Sequence, residues 1–401
     1  MVNSLLIYTG IMAFMLFFIL IAVYIDYKKK RVLTKRVPVS FIIPCYNDGA
    51  TVEKTIESIY NSYDRNKIEL IVANDKSTDD SLEILKKLKK IYGFTLVNNK
   101  ENIGKAKTLN NISKLAKHDI LWVVDADIIL TKKAVEDVLA RFEYNPRVSA
   151  VSCPYEYANR NWLDIMQSME CNLMSLLQVS QNLHTCFSLW GGCLAVRKSS
   201  FEKVGRFSEY MHTEDIEMSF KMAEHKFKVE QSLCHVMTFP MDTFTKWYHQ
   251  KRRWVVGAVQ CYLKHWRVWI KAPLQILFLL IFAVLNFYSV LYLIKEIVFL
   301  NIIWDNWELM RATSTFLFSF KVIGLIYGLQ FLGGLLMRVS FSAFSIPYTY
   351  SFLKNPKNIL RVFYAVPFSL IYLPAFTIVF IFGIPKGVRS YFTMKKGQRS
   401  W

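Results

Sequence analysis

Two aspartates separated by one alanine are the pair in this 401-residue chain best suited to bind a metal ion. Asp125-Ala126-Asp127 directly follows the apolar run Leu121–Val124. Acids at the end of a buried strand are costly unless a ligand or solvent compensates their charge. Mg²⁺ and Mn²⁺ take carboxylate oxygens and fill the rest of their shell with water or substrate phosphates. A chain leaving the strand can turn both carboxylates toward one such ion. The position of this short motif after a buried strand therefore indicates a metal site more than the motif itself does.

Asp75 follows a second apolar run, at a point where a base or a ribose could be met. A structural role near the start of the next helix is an equal alternative for Asp75. For Thr78 and Asp79, which lie closer to that helix, capping is the better interpretation.

The segment Asn102-Ile103-Gly104-Lys105 opens a predicted helix. Glycine permits close backbone approach, helix-start N–H groups attract anions, and lysine adds a point charge suited to a diphosphate. A loop glycine beside a solvated lysine is the structural alternative.

Thr213-Glu214-Asp215 stands at the head of another predicted helix. Either Thr213 or Asp215 could be an N-cap. A carboxylate close to an acceptor hydroxyl could instead act as a general base, the group that direct displacement at a sugar carbon requires.

The segment Gln250-Lys251-Arg252-Arg253-Trp254 lies on a predicted helix, where Gln250, Arg253 and Trp254 share roughly one face. Arginine can hold a phosphate, and an indole can stack on the apolar side of a sugar ring. The alternative is an interfacial tryptophan beside a snorkelling arginine.

Short β-branched runs alternate with amphipathic helical stretches between Val37 and Phe239, which predicts an α/β domain with a mostly parallel sheet. Ligands in such sheets bind beyond the carboxyl ends of the strands, where the acids above are expected. The predicted strands are Val39–Pro44, Ile68–Ala73, Phe94–Val97, Ile120–Val124 and Val148–Cys153. The predicted helices are Val52–Tyr63, Ser81–Lys90, Ala106–Leu115 and Lys133–Phe142.

The chain is 53% apolar and carries a net charge of +19, with its basic surplus beside apolar segments. Basic residues interleaved with tryptophan favour an amphipathic helix on anionic lipid over a nucleic-acid surface. All seven cysteines fall in the polar middle without a C-x-x-C pair, so we expect reduced thiols and neither disulfides nor zinc. The basic residues in question are Lys246, Lys251, Arg252, Arg253, Lys264, Arg267 and Lys271, with Trp247, Trp254, Trp266 and Trp269 among them.

Leu5–Ile25 is uncharged and about 21 residues long, enough for one uncleaved transmembrane helix. The basic run after it places the polar middle in the cytoplasm. Further candidate spans are Leu274–Leu293, Phe316–Met337 and Leu360–Ile384, while the basic C-terminal tail leaves the topology there open. We therefore expect an anchor with its basic flank at 1–36, a cytoplasmic domain at 37–240, interfacial helices at 241–272 and about three membrane helices at 273–401.

Together, the ordered D, D-x-D, T-E-D and Q-x-x-R-W segments resemble the membrane-embedded members of glycosyltransferase family 2. That group includes the cellulose, chitin, hyaluronan and poly-N-acetylglucosamine synthases. The similarity covers roughly Val37 to Gly257. It implies a GT-A type nucleotide-sugar-binding domain inserted between transmembrane helices, a UDP-sugar donor, and Mg²⁺ or Mn²⁺ as cofactor.

The resemblance also implies roles for single residues. Asp75 would contact uridine, Lys105 the diphosphate, and Asp125 with Asp127 the donor and its metal. Asp215 would be the catalytic base. The pyrophosphate and the acceptor sugar would be held by Gln250, Arg253 and Trp254. The loop Leu189–Cys193 resembles, less closely, the family's acceptor segment.

Within that family, the run Thr213–Ser219 looks most like poly-N-acetylglucosamine synthases and their chitin-oligosaccharide relatives. The resemblance thus implies an inverting, processive hexosyltransferase of the plasma or inner membrane that uses UDP-N-acetylglucosamine and translocates its polymer. A small accessory membrane subunit would fit the same picture, and no nucleic acid is expected. The alternatives are a transferase that adds one sugar to a membrane lipid, as ceramide glucosyltransferases do, and an inactive scaffold.

Overall fold

The structure is a computed structural model that describes residues 17–157, 161–270 and 367–395, together with Phe14, Ala272 and Tyr364. The predicted spans Leu274–Leu293 and Phe316–Met337 lie outside these residues, as does most of the first half of Leu5–Ile25. Residues 19–271 and 382–401 belong to one compact unit, and residues 1–18 and 272–381 belong to a second.

The described residues alternate between strands and helices after an N-terminal helix at residues 17–28. The strands are β1 Val39–Cys45, β2 Ile68–Asn74, β3 Thr95–Asn98, β4 Ile120–Val124, β5 Val148–Ser152, β6 Tyr155–Tyr157, β7 Cys193–Arg197, β8 Lys228–Gln231 and β9 Val236–Thr238. The helices are α1 Gly49–Ser62, α2 Ser81–Tyr92, α3 Lys105–Ser113, α4 Lys132–Tyr144, α5 Trp162–Ser180, α6 Lys198–Lys203, α7 Glu214–Glu224, α8 Phe244–Lys264, α9 Trp266–Ile270 and α10 Leu373–Lys395.

Seven strands form one sheet in the order β3-β2-β1-β4-β7-β5-β8. All neighbouring pairs are parallel except those that β7 makes with β4 and β5. The prediction of an α/β fold with a mostly parallel sheet is confirmed, and each of the five predicted strands is present within one residue of its expected ends. The strands β6 to β9 were not predicted, and β6 pairs with β9 in a small separate sheet.

Apolar side chains cover both faces of the large sheet. Alternate residues of a strand point to opposite faces, so Phe41 and Ile43 of β1 join one core cluster while Ile42 joins the other. Helix α1 buries Val52 and Ile56, four residues apart, against the first of these clusters. Two-sided burial fixes the sheet and therefore the positions at which its strands end.

A buried ion cluster joins the N-terminal helix to the sheet domain. Arg141 of α4 donates hydrogen bonds to Asp26 and to Glu230 of β8, both at 3.0 Å. Arg31 contacts the other oxygen of Asp26 at 2.7 Å. The side chains of Asp26 and Arg141 are fully buried. Charges at such depth are tolerated only because each has opposite charges and hydrogen bonds around it.

Helix α8 packs inside the protein more than the sequence suggested. Trp247 and Lys251 are fully buried, and Lys264 forms an ion pair with Glu217. The prediction that Trp247 and Lys251 face lipid or solvent was wrong, and Lys251 pairs with Glu170, 81 residues earlier. Lys264 is exposed, as predicted, although it pairs with Glu217. Arg267, Lys246 and Trp266 are exposed, as predicted.

The C-terminal half of α10 lies against α8 at two glycines. A Cβ atom on Gly383 would lie 2.6 Å from Val255, and one on Gly387 would lie 2.6 Å from Val259. Within the described residues, one helix is long and apolar enough to cross a membrane, at Leu373–Thr393. It overlaps the predicted span Leu360–Ile384 but ends later.

Replacing Arg141 by methionine should lower the free energy of unfolding by about 3 to 5 kcal/mol, because it leaves buried acids without their shared cation. Thermal or denaturant unfolding of the purified protein in detergent measures this loss. Glu136→Gln on the same helix is the control, since its ion pair with Lys132 is exposed and should matter by less than about 0.5 kcal/mol. An Arg141→Met protein as stable as wild type would contradict the importance of the cluster.

Candidate active site

The two aspartates after β4 lie at the carboxyl edge of the sheet, beside one lysine. Lys105 donates a hydrogen bond to Oδ2 of Asp125 at 2.8 Å, and its Nζ lies 2.7 Å from Oδ1. The same ammonium lies 3.7 Å from Oε1 of Glu214. Burial lowers the pKa of Lys105, but the charges of Asp125 and Glu214 outweigh it and raise that pKa overall. Lys105 is therefore a fixed cation between two parts of the chain.

Asp127 is the aspartate of the pair that is better placed to receive a metal. Its Oδ2 accepts a hydrogen bond from the hydroxyl of Thr238 at 3.1 Å. Burial, and then the charge of Asp125, raise the pKa of Asp127 to about 6. Asp48 lies close enough that burial and the Asp125 charge raise its pKa too. A divalent cation would relieve this repulsion, so the carboxylates fit one.

The described residues contain no group of three or more His, Cys, Asp or Glu side chains arranged to hold a metal. Because Lys105 already pairs with Asp125, the protein offers one readily available carboxylate, Asp127, and a second that the lysine shares. A metal bound here would need oxygens from a ligand to complete its shell.

Asp75 organises the loop that leads to Lys105. Its Oδ1 accepts hydrogen bonds from the side chain of Asn99 at 2.7 Å and from the N–H of Ile103 at 3.1 Å. Its Oδ2 accepts from the N–H of Gly104 at 2.9 Å. Gly104 has a φ of 87°, a backbone conformation that favours glycine. Asp75 therefore has a structural role in this loop, and the predicted contact with a nucleoside would be a second role.

Asp79 fits the structural interpretation given to it from the sequence. Its carboxylate accepts hydrogen bonds from the N–H groups of Ser81, at the start of α2, and of Gly49, at the start of α1. The N–H of Thr78 bonds instead to the side chain of Asn47.

Two backbone N–H groups hold the carboxylate of Asp215. Gly191 donates to Oδ2 at 2.8 Å and Ile216 donates to Oδ1 at 2.9 Å. Thr213 occupies the N-cap position of α7 without a capping bond from its side chain. Capping therefore does not explain Thr213, whereas Asp215 accepts one N–H of the first turn of α7 and, beyond capping, also the N–H of Gly191. Burial and then the neighbouring charge of Glu214 raise the pKa of Asp215 to about 6, against the opposing charge of Lys105.

The paired glycines before β7 separate the two acidic groups. A Cβ atom on Gly191 would lie 2.6 Å from Oδ2 of Asp215, and one on Gly192 would lie 2.9 Å from Oδ2 of Asp125. The carbonyl of Gly192 also accepts the N–H of Asp125 at 2.8 Å. Only residues without side chains allow Asp125 and Asp215 to approach the same loop.

Tyr155 belongs to the same centre, although the sequence analysis missed it. Its hydroxyl accepts the N–H of Gly192 at 2.7 Å, and its ring meets Trp190 edge-on at 4.7 Å. Burial, and then the charges of Asp125 and Asp215, raise its pKa well above the usual value. The sequence could have indicated Tyr155 by its position just after the fifth predicted strand, at the sheet edge where the acids lie.

Helix α8 brings the Q-x-x-R-W residues toward this centre through aromatic contact. The Trp254 ring lies 6.2 Å from that of Trp190, nearly perpendicular to it. Arg253 is exposed, and its charge helps to lower the pKa of Asp215 against burial. Gln250 Oε1 is buried without a hydrogen-bond partner among the described residues, which leaves it able to accept one from a ligand.

Residues 40–205 match the sequence profile of glycosyl transferase family 2. This chain carries a family 2 glycosyltransferase domain. The matched residues contain Asp75, Lys105 and the pair Asp125 and Asp127 but stop short of Asp215. The predictions of the family and of a hexosyltransferase are confirmed, whereas the roles of single residues stay predictions.

Curated relatives extend the similarity beyond that domain. Over 373 residues, the chain is 26% identical to the poly-beta-1,6-N-acetyl-D-glucosamine synthase of Staphylococcus epidermidis, covering 90% of this chain and 86% of that protein. It is 28% identical over 248 residues to the enzyme of the same name from Staphylococcus aureus strain COL, covering 61% of this chain and 60% of the relative.

Among solved structures, the mannosyltransferase PcManGT from Pyrobaculum calidifontis, in complex with GDP-Man and Mn²⁺, aligns with a TM-score of 0.54 at 20% identity. The alignment covers 86% of this chain and 99% of that one. The likeness confirms the predicted fold of the glycosyltransferase domain.

Gly191→Ala should nearly abolish transfer while leaving the domain folded, because the new methyl group displaces the carboxylate of Asp215. Glycosyl transfer and UDP affinity, measured on the same preparation, check this. Gly93→Ala is the control: its φ of 73° makes alanine unfavourable, but a Cβ there meets nothing within 4 Å. The control should lose about 1 kcal/mol of stability and keep its activity per folded molecule. Full activity in Gly191→Ala would mean that the carboxylate position is unimportant.

Proposed function

We propose that this chain is an inverting, processive β-glycosyltransferase that polymerises N-acetylglucosamine from UDP-N-acetylglucosamine. The observation that carries the proposal is the convergence of Asp125 and Asp215 on the paired glycines 191 and 192. One loop thus separates a donor-binding acid from an acid suited to serve as base. The names of the two staphylococcal relatives support N-acetylglucosamine as the sugar and a β-1,6 polymer as the product.

Donor binding in this proposal uses the charges at the sheet edge. Lys105 and Arg253 hold the diphosphate, and Gln250 offers its unpaired oxygen to the donor or acceptor. Asp75 shapes the pocket for uridine through the loop of Gly104. Asp127 with Asp125 would hold Mg²⁺ or Mn²⁺, which would supply positive charge to the diphosphate of the leaving UDP.

Asp215 is the proposed base. Its carboxylate takes the proton of the acceptor hydroxyl as that oxygen attacks the anomeric carbon of the donor. The new glycosidic bond forms while the bond from that carbon to the diphosphate oxygen breaks, and UDP leaves with the electron pair. One such displacement inverts the anomeric centre, so an α-linked donor gives a β-linkage.

Trp254 and Trp190 are the proposed acceptor platform, since an indole can stack on a pyranose ring without one fixed hydrogen-bond pattern. The apolar helix at Leu373–Thr393 and the apolar N-terminal segment support an integral protein of the plasma or inner membrane with its catalytic domain in the cytoplasm. Polymer export through the membrane region, with or without a small accessory subunit, completes the proposal.

The purified protein should release UDP fastest from UDP-N-acetylglucosamine within a panel of UDP-sugars, and only with Mg²⁺ or Mn²⁺ present. Chelation should abolish release, and Asp127→Asn should weaken metal-dependent UDP binding by about 10-fold or more. Product size and linkage are read by gel electrophoresis and NMR. A product with one sugar per lipid would support the glycolipid alternative, and no turnover of any UDP-sugar would support a scaffold.

The rate of transfer should fall about tenfold per unit of pH below about 6. The raised pKa of Asp215 means that its carboxyl is protonated, and useless as a base, below that value. A pH–rate profile at saturating donor and metal measures the effect. Asp215→Asn should fold and bind UDP at every pH but lose about 10² to 10⁴ in rate. A flat profile, or substantial turnover by that variant, would remove Asp215 from the mechanism.

A further inference from the structure

Helix α5 is buried along most of its length, yet many of its buried side chains are polar. Such groups are costly inside a protein unless they find partners. The proposed catalytic steps use none of these residues. They are Asp164, Gln167, Ser168, Glu170, Asn172, Ser175 and Gln178.

One of these groups forms a buried ion pair with the Q-x-x-R-W segment. The Nζ atom of Lys251 lies 2.8 Å from both carboxylate oxygens of Glu170. The side chain of Lys251 is fully buried, and that of Glu170 is 3% exposed. Lys251 is therefore held at a single place, unlike a lysine on a solvated surface.

The same ammonium lies over the ring of Trp254, 3.9 Å from its centroid. A desolvated cation on an indole face is a strong form of the cation–π interaction. Lys251 therefore covers one face of Trp254, and a sugar that stacks on this ring has only the opposite face to use.

A second polar group of α5 holds the other indole. Gln178 accepts a hydrogen bond from Nε1 of Trp190 and donates one to the hydroxyl of Ser188 at 3.2 Å. Trp190 immediately precedes the paired glycines that contact Asp125 and Asp215. Helix α5 thus fixes the orientation of both aromatic rings, one through Glu170 and one through Gln178.

We propose that Glu170, Lys251 and Gln178 are positioning residues that fix the two indoles and thereby set the length of the polymer. The inference rests on the proposed function, because it assigns the rings to the acceptor. Product length reflects the competition between the next addition and release of the chain. A loosened platform releases the acceptor sooner, whereas donor binding at Lys105, Asp125 and Asp127 is unaffected.

The test compares three variants in membranes or detergent. Lys251→Met removes the cation, Glu170→Gln with Lys251→Met removes both charges so that no acid is left unpaired, and Gln178→Met removes the bond to Trp190 without changing charge. Lys246→Met is the matched control, since this lysine lies on the same helix in an exposed pair with Asp242. Gel analysis gives product length, and titration gives UDP affinity.

We expect the mean product length to fall about fivefold or more in the three variants. Loss of the contact that holds an indole should speed release of the acceptor by about this factor. UDP affinity should stay within about twofold, and Lys246→Met should match wild type. Lys251→Arg keeps a cation over the ring and should therefore make product of the wild-type length.

Wild-type length in the double variant would overturn the inference, and so would a parallel loss of UDP binding in all three variants, which would mark a role in the fold as a whole. A wild-type enzyme that makes no polymer would instead refute the proposed function.

Discussion

The contact between the Lys105 ammonium and the Asp125 carboxylate is the interaction on which the rest of this centre depends. Several acids end up at one edge of the sheet, and like charges in a partly dry site repel strongly. Lys105 compensates two of them at once, because it also faces Glu214. Its own position follows from Asp75, which fixes the turn at Gly104.

This arrangement also describes an exchange of partners under the proposed function. A diphosphate that engages Lys105 competes with Asp125 for the same ammonium. As that ion pair weakens, Asp125 would be free to help Asp127 hold a divalent cation. Asp125 is thus paired with Lys105 in the free protein, whereas Asp127 keeps a raised pKa that a bound cation would lower.

Sequence alone could predict those parts of the fold that depend on local patterns. Strands buried on both faces read as continuous apolar runs, so β1, β2, β4 and β5 and the acids after β2 and β4 were found. The short, partly exposed strand β3 was found as well. The pattern did not reveal β7, which inserts antiparallel between β4 and β5 and brings the paired glycines to Asp125 and Asp215. Its position depends on pairing between segments about 70 residues apart, for which one sequence carries no local signal.

The absence of a local signal also explains why the burial of Lys251 in α8 was not predicted. Lys251 stands in a basic run that is typical of a solvated helix face, and nothing beside it indicates burial. Its partner Glu170 lies 81 residues earlier, on α5, a helix that was not among those predicted. Ion pairs between residues far apart in the sequence cannot be predicted from the local pattern around either residue.

The Asp26–Arg141–Glu230 cluster has a consequence for how such chains are divided and recombined. The catalytic fold takes one of its buried charges from the end of the N-terminal helix, ahead of the first strand. A cut near residue 37 would therefore remove part of the interior together with the N-terminal helix. An N-terminal helix exchanged between related proteins would be accepted only if it carried an acid at the same distance from β1. The N-terminal helix and the sheet domain thus share one interior, even though their amino-acid compositions look like those of separate modules.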